Sequence, residues 1–152
     1  MEKLFSEISR RNVHYGNNVA QIRNMFSRKQ ESLTTRNDKF FSKYWQVYAW
    51  AAVIGLINDK REVDTDLPHQ SSFQYQMIIN GSESIAHALL LMAIGKIEAE
   101  KSEDFLNSRK LLTIISEYAE GGAKYILEIR QTSGYERLYD SPDDYLLEIM
   151  KR

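Results

Sequence analysis

The chain has 152 residues, of which 43% are hydrophobic; it has no cysteine, two prolines and seven glycines, and its formal net charge is −1. That length suits one domain, residues 1–152, able to bury about two-thirds of its unfolded surface without covalent or metal staples. The absence of cysteine excludes disulfides, thiol catalysis and thiolate metal sites, and the shortage of Pro and Gly argues against a loop-rich or all-β fold.

In chain order, Leu4, Phe5, Ile8, Val13, Val19, Ile22, Met25 and Phe26 recur at helical spacing, which predicts helices near 2–12 and 17–32. The stretch "HYGNN" at 14–18 reads as the turn between them. Residues 1–34 are thus expected to form a basic arm or a helical hairpin. Polar residues at 32–38 form a linker, with Thr35 or Asn37 as the cap of the next helix.

That helix, predicted at 38–57, holds "YWQVYAWAAVIGL" (44–56), the most apolar run of the chain, with both tryptophans. A membrane-spanning helix needs about 20 consecutive apolar residues. This run is shorter, contains Gln46, and lies between Lys39 and Lys43 on one side and Asn58, Asp59 and Lys60 on the other. A central aromatic-rich helix buried on several sides is the expectation.

Residues 62–72, with Pro68, read as a loop. "FQYQMII" (73–79) alternates like a strand, but a lone strand needs a partner. The partner in prospect is an extended piece near 62–67, and otherwise the segment is a loop or short helix. Asn80-Gly81 forms a turn, Ser82 caps a helix running to about 101, and Ser102 caps another running to about 131, interrupted at Gly121-Gly122. Two glycines there fit a close helix approach or a bend. Ser141, Pro142, Asp143 and Asp144 mark the start of a last helix at 141–150. The expected fold is all-α or nearly so, a compact bundle of five or six helices.

Chemistry-bearing residues are sparse. His14, His69 and His87 have no partner at metal-ligand spacing, and a lone helical histidine such as His87 is more often a hydrogen-bonded boundary residue. Asp64 and Asp66, beside Glu62, form a D-x-D pair of the kind that holds magnesium with a phosphate, although a solvated loop is the simpler reading. Glu117 and Glu120 share a helix face. Paired carboxylates do acid–base work when buried, but exposure is the expectation here. No phosphate-cradling glycine loop and no nucleophile elbow occurs. The chain is therefore expected not to be an enzyme and to need no cofactor or metal.

Charge is uneven along the chain. Residues 1–44 carry nine Lys/Arg against four Asp/Glu, and residues 45–152 carry eleven against seventeen. The basic third either meets nucleic acid or packs against the acidic remainder. Arg10, Arg11, Arg23, Arg28 and Lys29, with Arg36, Lys39 and nearby asparagines, are the candidate nucleic-acid-binding residues.

Two segments resemble a known group. "FFSKYWQVYAWAAVIGLINDKREV" (40–63) resembles the aromatic–Ala-Ala–Gly–Lys-Arg block of small proteins associated with bacterial DNA phosphorothioation (Dnd) loci, and "IISEYAEGGAKYILEI" (114–129) resembles their Glu-Tyr-Ala-x-Gly-Gly segment. The matching positions are Phe40, Ala51, Ala52, Gly55, Lys60, Arg61, Glu117, Tyr118, Ala119, Gly121 and Gly122. The resemblance covers about half the chain. It implies a small helical accessory protein of a bacterial DNA-modification or phage-defence system, with DNA or larger subunits of that system as partners. The other reading is a protein–protein module or homo-oligomer without nucleic-acid contact. No apolar signal segment opens the sequence, so a cytoplasmic protein without membrane contact is expected.

Overall fold

The structure is a computed structural model that describes residues 2–26, 41–63, 71–97, 107–132 and 142–151. It is all-α apart from one small sheet. In chain order the elements are α1 (Glu2–Ser9), β1 (Asn12–Tyr15), α2 (Asn17–Phe26), α3 (Tyr44–Ile57), β2 (Ser71–Gln74), α4 (Gln76–Gly81), α5 (Glu83–Gly95), α6 (Ser108–Thr132) and α7 (Pro142–Lys151). The five or six helices expected are present, and α4 is the short helix that was one of the readings of 73–79.

The first correction concerns residues 10–18. The helix predicted to reach residue 12 ends at Ser9, and the predicted turn holds a strand. Val13 and Tyr15 are buried while Asn12 is exposed, the period-two pattern of a half-buried strand. β1 pairs antiparallel with β2 in the register Asn12↔Gln74, Val13↔Phe73, His14↔Ser72 and Tyr15↔Ser71. Of the alternating segment 73–79, Phe73 and Gln74 lie in β2 and pair near the N-terminus, while 76–79 are helical; of the expected partner at 62–67, residues 64–67 lie outside the described residues. Tyr75 donates its N–H to the Arg11 carbonyl at 3.0 Å, and the chain then turns into α4.

α2 buries Val19, Ile22 and Phe26, one stripe at helical spacing. Its predicted continuation to residue 32 lies outside the described residues, as do Thr35 and Asn37. α3 starts at Tyr44, where the Gln46 side chain turns back to accept from the Lys43 N–H at 3.1 Å. It ends with Asp59 in the left-handed conformation (φ 52°) and Lys60 N–H donating to the Gly55 carbonyl at 2.8 Å, a Schellman-type closure. Ser82 caps α5, as expected, its Oγ accepting from Ile85 N–H. α5 stops at Gly95, short of the predicted residue 101. α6 begins at Ser108, with Asn107 Oδ1 accepting from Lys110 N–H at 3.1 Å; the start predicted at Ser102 lies outside the described residues.

α6 is the element on which the others assemble. It packs most extensively on α3 and also touches α1, α2, α5 and β1. Gly121-Gly122 does not interrupt it. A Cβ on Gly122 would run into the Ala51 carbonyl oxygen, one on Gly55 into that of Tyr118, and one on Gly121 into that of Lys60. The glycines permit a backbone-to-backbone approach between α3 and α6, and they cost about 1 kcal/mol each in helix propensity. Leu111, Leu112, Ile114, Ile115, Tyr118, Ala119, Ile126 and Ile129 of α6 are buried. Aromatic rings from several elements form two clusters around α3. Phe26, Phe41, Trp50 and Tyr145 meet edge-on or tilted in one, and Tyr15, Tyr48 and Phe73 do so in the other. Among the described residues no helix is long and apolar enough to cross a membrane.

Candidate anion-binding cleft

The end of α1, the start of β1 and the first turns of α6 meet around an open cleft of about 570 Å³. Arg10, Arg11, Asn12, His14, Arg109 and Thr113 line it. Leu112 supplies an apolar wall, and Ser116 lies deeper, its Oγ 2.8 Å from the buried Tyr48 hydroxyl. Burial raises the Tyr48 pKa, so the phenol stays protonated at this junction. Arg10 and Arg11 also line a neighbouring cleft with Lys3, Ser6 and Glu7, which extends the basic rim along α1.

The cleft is braced from below. The Arg11 Nε–H donates to Ser108 Oγ at 2.6 Å, the Ser108 hydroxyl donates to Glu7 Oε1 at 2.8 Å, and Arg11 Nη2 pairs with the same oxygen at 3.2 Å. This triangle ties the end of α1 to the start of α6. The Ser108 hydroxyl, and after it the Arg11 guanidinium, hold the Glu7 carboxyl below its usual pKa. Arg11 is therefore fixed in place and partly neutralised. Arg10 and Arg109 are exposed, and among the described residues no side-chain hydrogen bond or ion pair engages either guanidinium.

Of the three candidate basic residues that are described, Arg10 and Arg11 reach this cleft. Arg23 does not. Its guanidinium donates to the Tyr15 hydroxyl at 2.7 Å and lies over the Tyr44 ring at 4.8 Å from the centroid. Arg28 and Lys29 lie outside the described residues, as do Arg36, Lys39, Asp64, Asp66 and His69. Sequence reasoning missed Arg109, since it sits in the acidic part of the chain. Its one sequence signal is its place in the first turn of a helix, and nothing local says which partner that turn meets.

The paired carboxylates require a second correction, because both are buried. Glu117, 6% exposed, is bridged by Arg61 Nη2 at 2.8 Å. Glu120, 1% exposed, accepts from Val19 N–H at 3.1 Å and faces the N–H groups of Gly16 and Asn18. A carboxylate from α6 thus caps α2, whose own cap position is Gly16. A Cβ on Gly16 would meet Glu120 Oε1, so a larger residue there would have to displace the capping carboxylate. Burial pushes the Glu120 carboxyl above its usual pKa, against the lowering effect of those N–H groups. Neither carboxylate lines the basic cleft, and each has a structural partner.

Two further acids pair with lysines nearer the surface. Lys124 pairs with Glu62 at 3.0 Å and Lys96 with Asp59 at 3.6 Å, so these cations of the acidic part are neutralised within it. His87 stacks on Phe5 with ring centroids 4.3 Å apart, and its Nδ1 lies 2.9 Å from the Glu83 carbonyl oxygen, which makes it a boundary residue joining α5 to α1. Among the described residues no group of three His, Asp or Glu could hold a metal ion. No family model, no curated protein and no solved structure matches the chain.

Proposed function

We propose that this protein is a non-enzymatic helical accessory subunit of a bacterial DNA-modification or phage-defence system and that it contacts DNA through its basic face. The observation that supports this reading most is the convergence of Arg10 and Arg11 with Arg109 on one open cleft, while Arg61, Lys96 and Lys124 are neutralised by acids of the acidic part. Guanidinium groups that open onto a concavity attract phosphate, and each phosphate they neutralise releases counterions. The resemblance of segments 40–63 and 114–129 to Dnd-associated proteins supplies the biological setting of the reading.

Duplex-DNA binding across a salt series tests it. Wild type is expected to lose affinity steeply as salt rises. Arg10→Ala/Arg109→Ala is expected to bind more weakly and with a shallower slope, because phosphate charge is no longer neutralised at the cleft. No binding at low salt would overturn the reading.

A second reading, a protein–protein module or homo-oligomer, is favoured by α7, which exposes Leu146, Leu147 and Met150 at 40%, 58% and 81%. Exposed apolar rows of this kind mark contact surfaces. On this reading the sedimentation mass rises with concentration, and Leu147→Glu/Met150→Glu returns it to that of the monomer. A monomeric mass at all concentrations would remove self-association.

A further inference from the structure

We infer that the cleft holds one terminal phosphate monoester, carried by a single nucleotide or by the end of a nucleic-acid strand. The inference rests on the DNA-contact reading for its site but goes further in naming the chemical group. Its basis is the geometry of the positive charge. Arg10 and Arg109 come from different elements, α1 and α6, and open onto the same concavity, where Arg11 is already fixed by Ser108 and Glu7. Such convergence suits one compact dianion, because several guanidinium forks can each present two N–H groups to the oxygens of a single phosphate.

A duplex backbone calls for a different layout. It presents about one charge per 1.7 Å of axis, so its binding surfaces are stripes or long grooves. Among the described residues, Arg23 does not prolong the cleft's charge into a stripe, because its guanidinium is committed to Tyr15 and Tyr44. The volume agrees with the smaller ligand. A cleft of about 570 Å³ falls within the roughly 300–1,000 Å³ of small-molecule sites. Its other walls are mixed, with Leu112 offering an apolar surface and Asn12 and Thr113 offering donors and acceptors, the combination a base and sugar would meet beside the phosphate.

Binding of single-stranded oligonucleotides of one sequence, 5′-phosphorylated or 5′-hydroxyl, tests this by fluorescence anisotropy, with adenosine 5′-monophosphate and inorganic phosphate as competitors. The phosphorylated strand is expected to bind about tenfold tighter, the gain of a charge-assisted contact to the extra phosphate charge. Arg10→Ala and Arg109→Ala are each expected to shrink that ratio towards one, and Arg23→Ala to leave it unchanged. Both cleft arginines are exposed, so their truncation retains the fold, and circular dichroism checks that it does. Equal binding of the two strands would overturn the inference and leave the DNA-contact reading standing. Binding of adenosine 5′-monophosphate without binding of any strand or duplex would support the phosphate site with a free nucleotide as its source, and would overturn the DNA-contact reading. No binding of strand, nucleotide or phosphate would overturn both.

Discussion

Gly122→Ala is expected to destabilise the protein by about 3 kcal/mol, although alanine is the better helix former by about 1 kcal/mol. The added methyl would enter the Ala51 carbonyl oxygen and crowd the Gly55 nitrogen across the α3–α6 interface. The obstacle is backbone on both sides, so no rotamer change relieves it. The helices must separate, and separation loosens the packing of Tyr48, Ala52, Ile115 and Ala119, all buried at this interface or beside it. A tightly packed interior relaxes only partially around an added methyl group.

Gly95→Ala provides the matched control. Nothing lies within 4 Å of a Cβ placed there, so the same substitution at the end of α5 is expected to stabilise by up to about 1 kcal/mol. Urea denaturation of the two variants measures both effects. A Gly122→Ala protein as stable as wild type would mean that α3 and α6 do not approach as closely as described.

That interface also shows which parts of the fold local sequence can reveal. The helical periods of α2, α3, α5 and α6 were legible because each buries a stripe or a whole surface set by its own residues. Ser82 was legible as a cap because its hydroxyl bonds within one turn, to Ile85. Pro142 was legible because it can begin a helix but not continue one. Features made by distant pairs were hidden. β1 and β2 have four residues each and pair across about sixty residues of chain, and the Gly and Asn residues after β1 read as a turn between helices. The Gly-Gly pair fitted either a close helix approach or a bend, and the choice between them depended on the α3 backbone, which lies elsewhere in the chain. The candidate site divides in the same way. Arg10 and Arg11 could be named from the charge asymmetry of the chain, but Arg109 joins them only once α6 is packed against α1 and β1. Arg23 shared the same composition signal and is held instead by two tyrosines.

Glu120 is the strongest case of such long-range dependence, and Glu120→Ala is expected to cost about 2 to 3 kcal/mol at neutral pH. The loss has two parts. Removing the cap of a helix costs about 1 kcal/mol, and a buried N–H left without an acceptor costs about 1–3 kcal/mol. Val19 is 1% exposed, so its N–H has no ready route to water. Part of this is offset because the variant no longer buries a charge.

The offset makes the effect depend on pH with a definite sign. Burial raises the folded-state pKa of Glu120 above its unfolded value. The folded protein therefore binds this proton more tightly than the unfolded chain, and the group contributes most below the unfolded value of about 4.3. That contribution is lost as pH rises through the elevated folded pKa. The stability difference between wild type and Glu120→Ala should be largest in mild acid and should narrow towards neutrality. Glu7, whose pKa is shifted down, acts in the opposite sense, but it is common to both proteins and cancels in the difference. Denaturation curves at several pH values between 4 and 8 read out the trend, and amide exchange at Val19 reports the cap directly. A difference that widened with pH would show that Glu120 is held as a stabilised carboxylate by the α2 N–H groups, with burial the smaller effect.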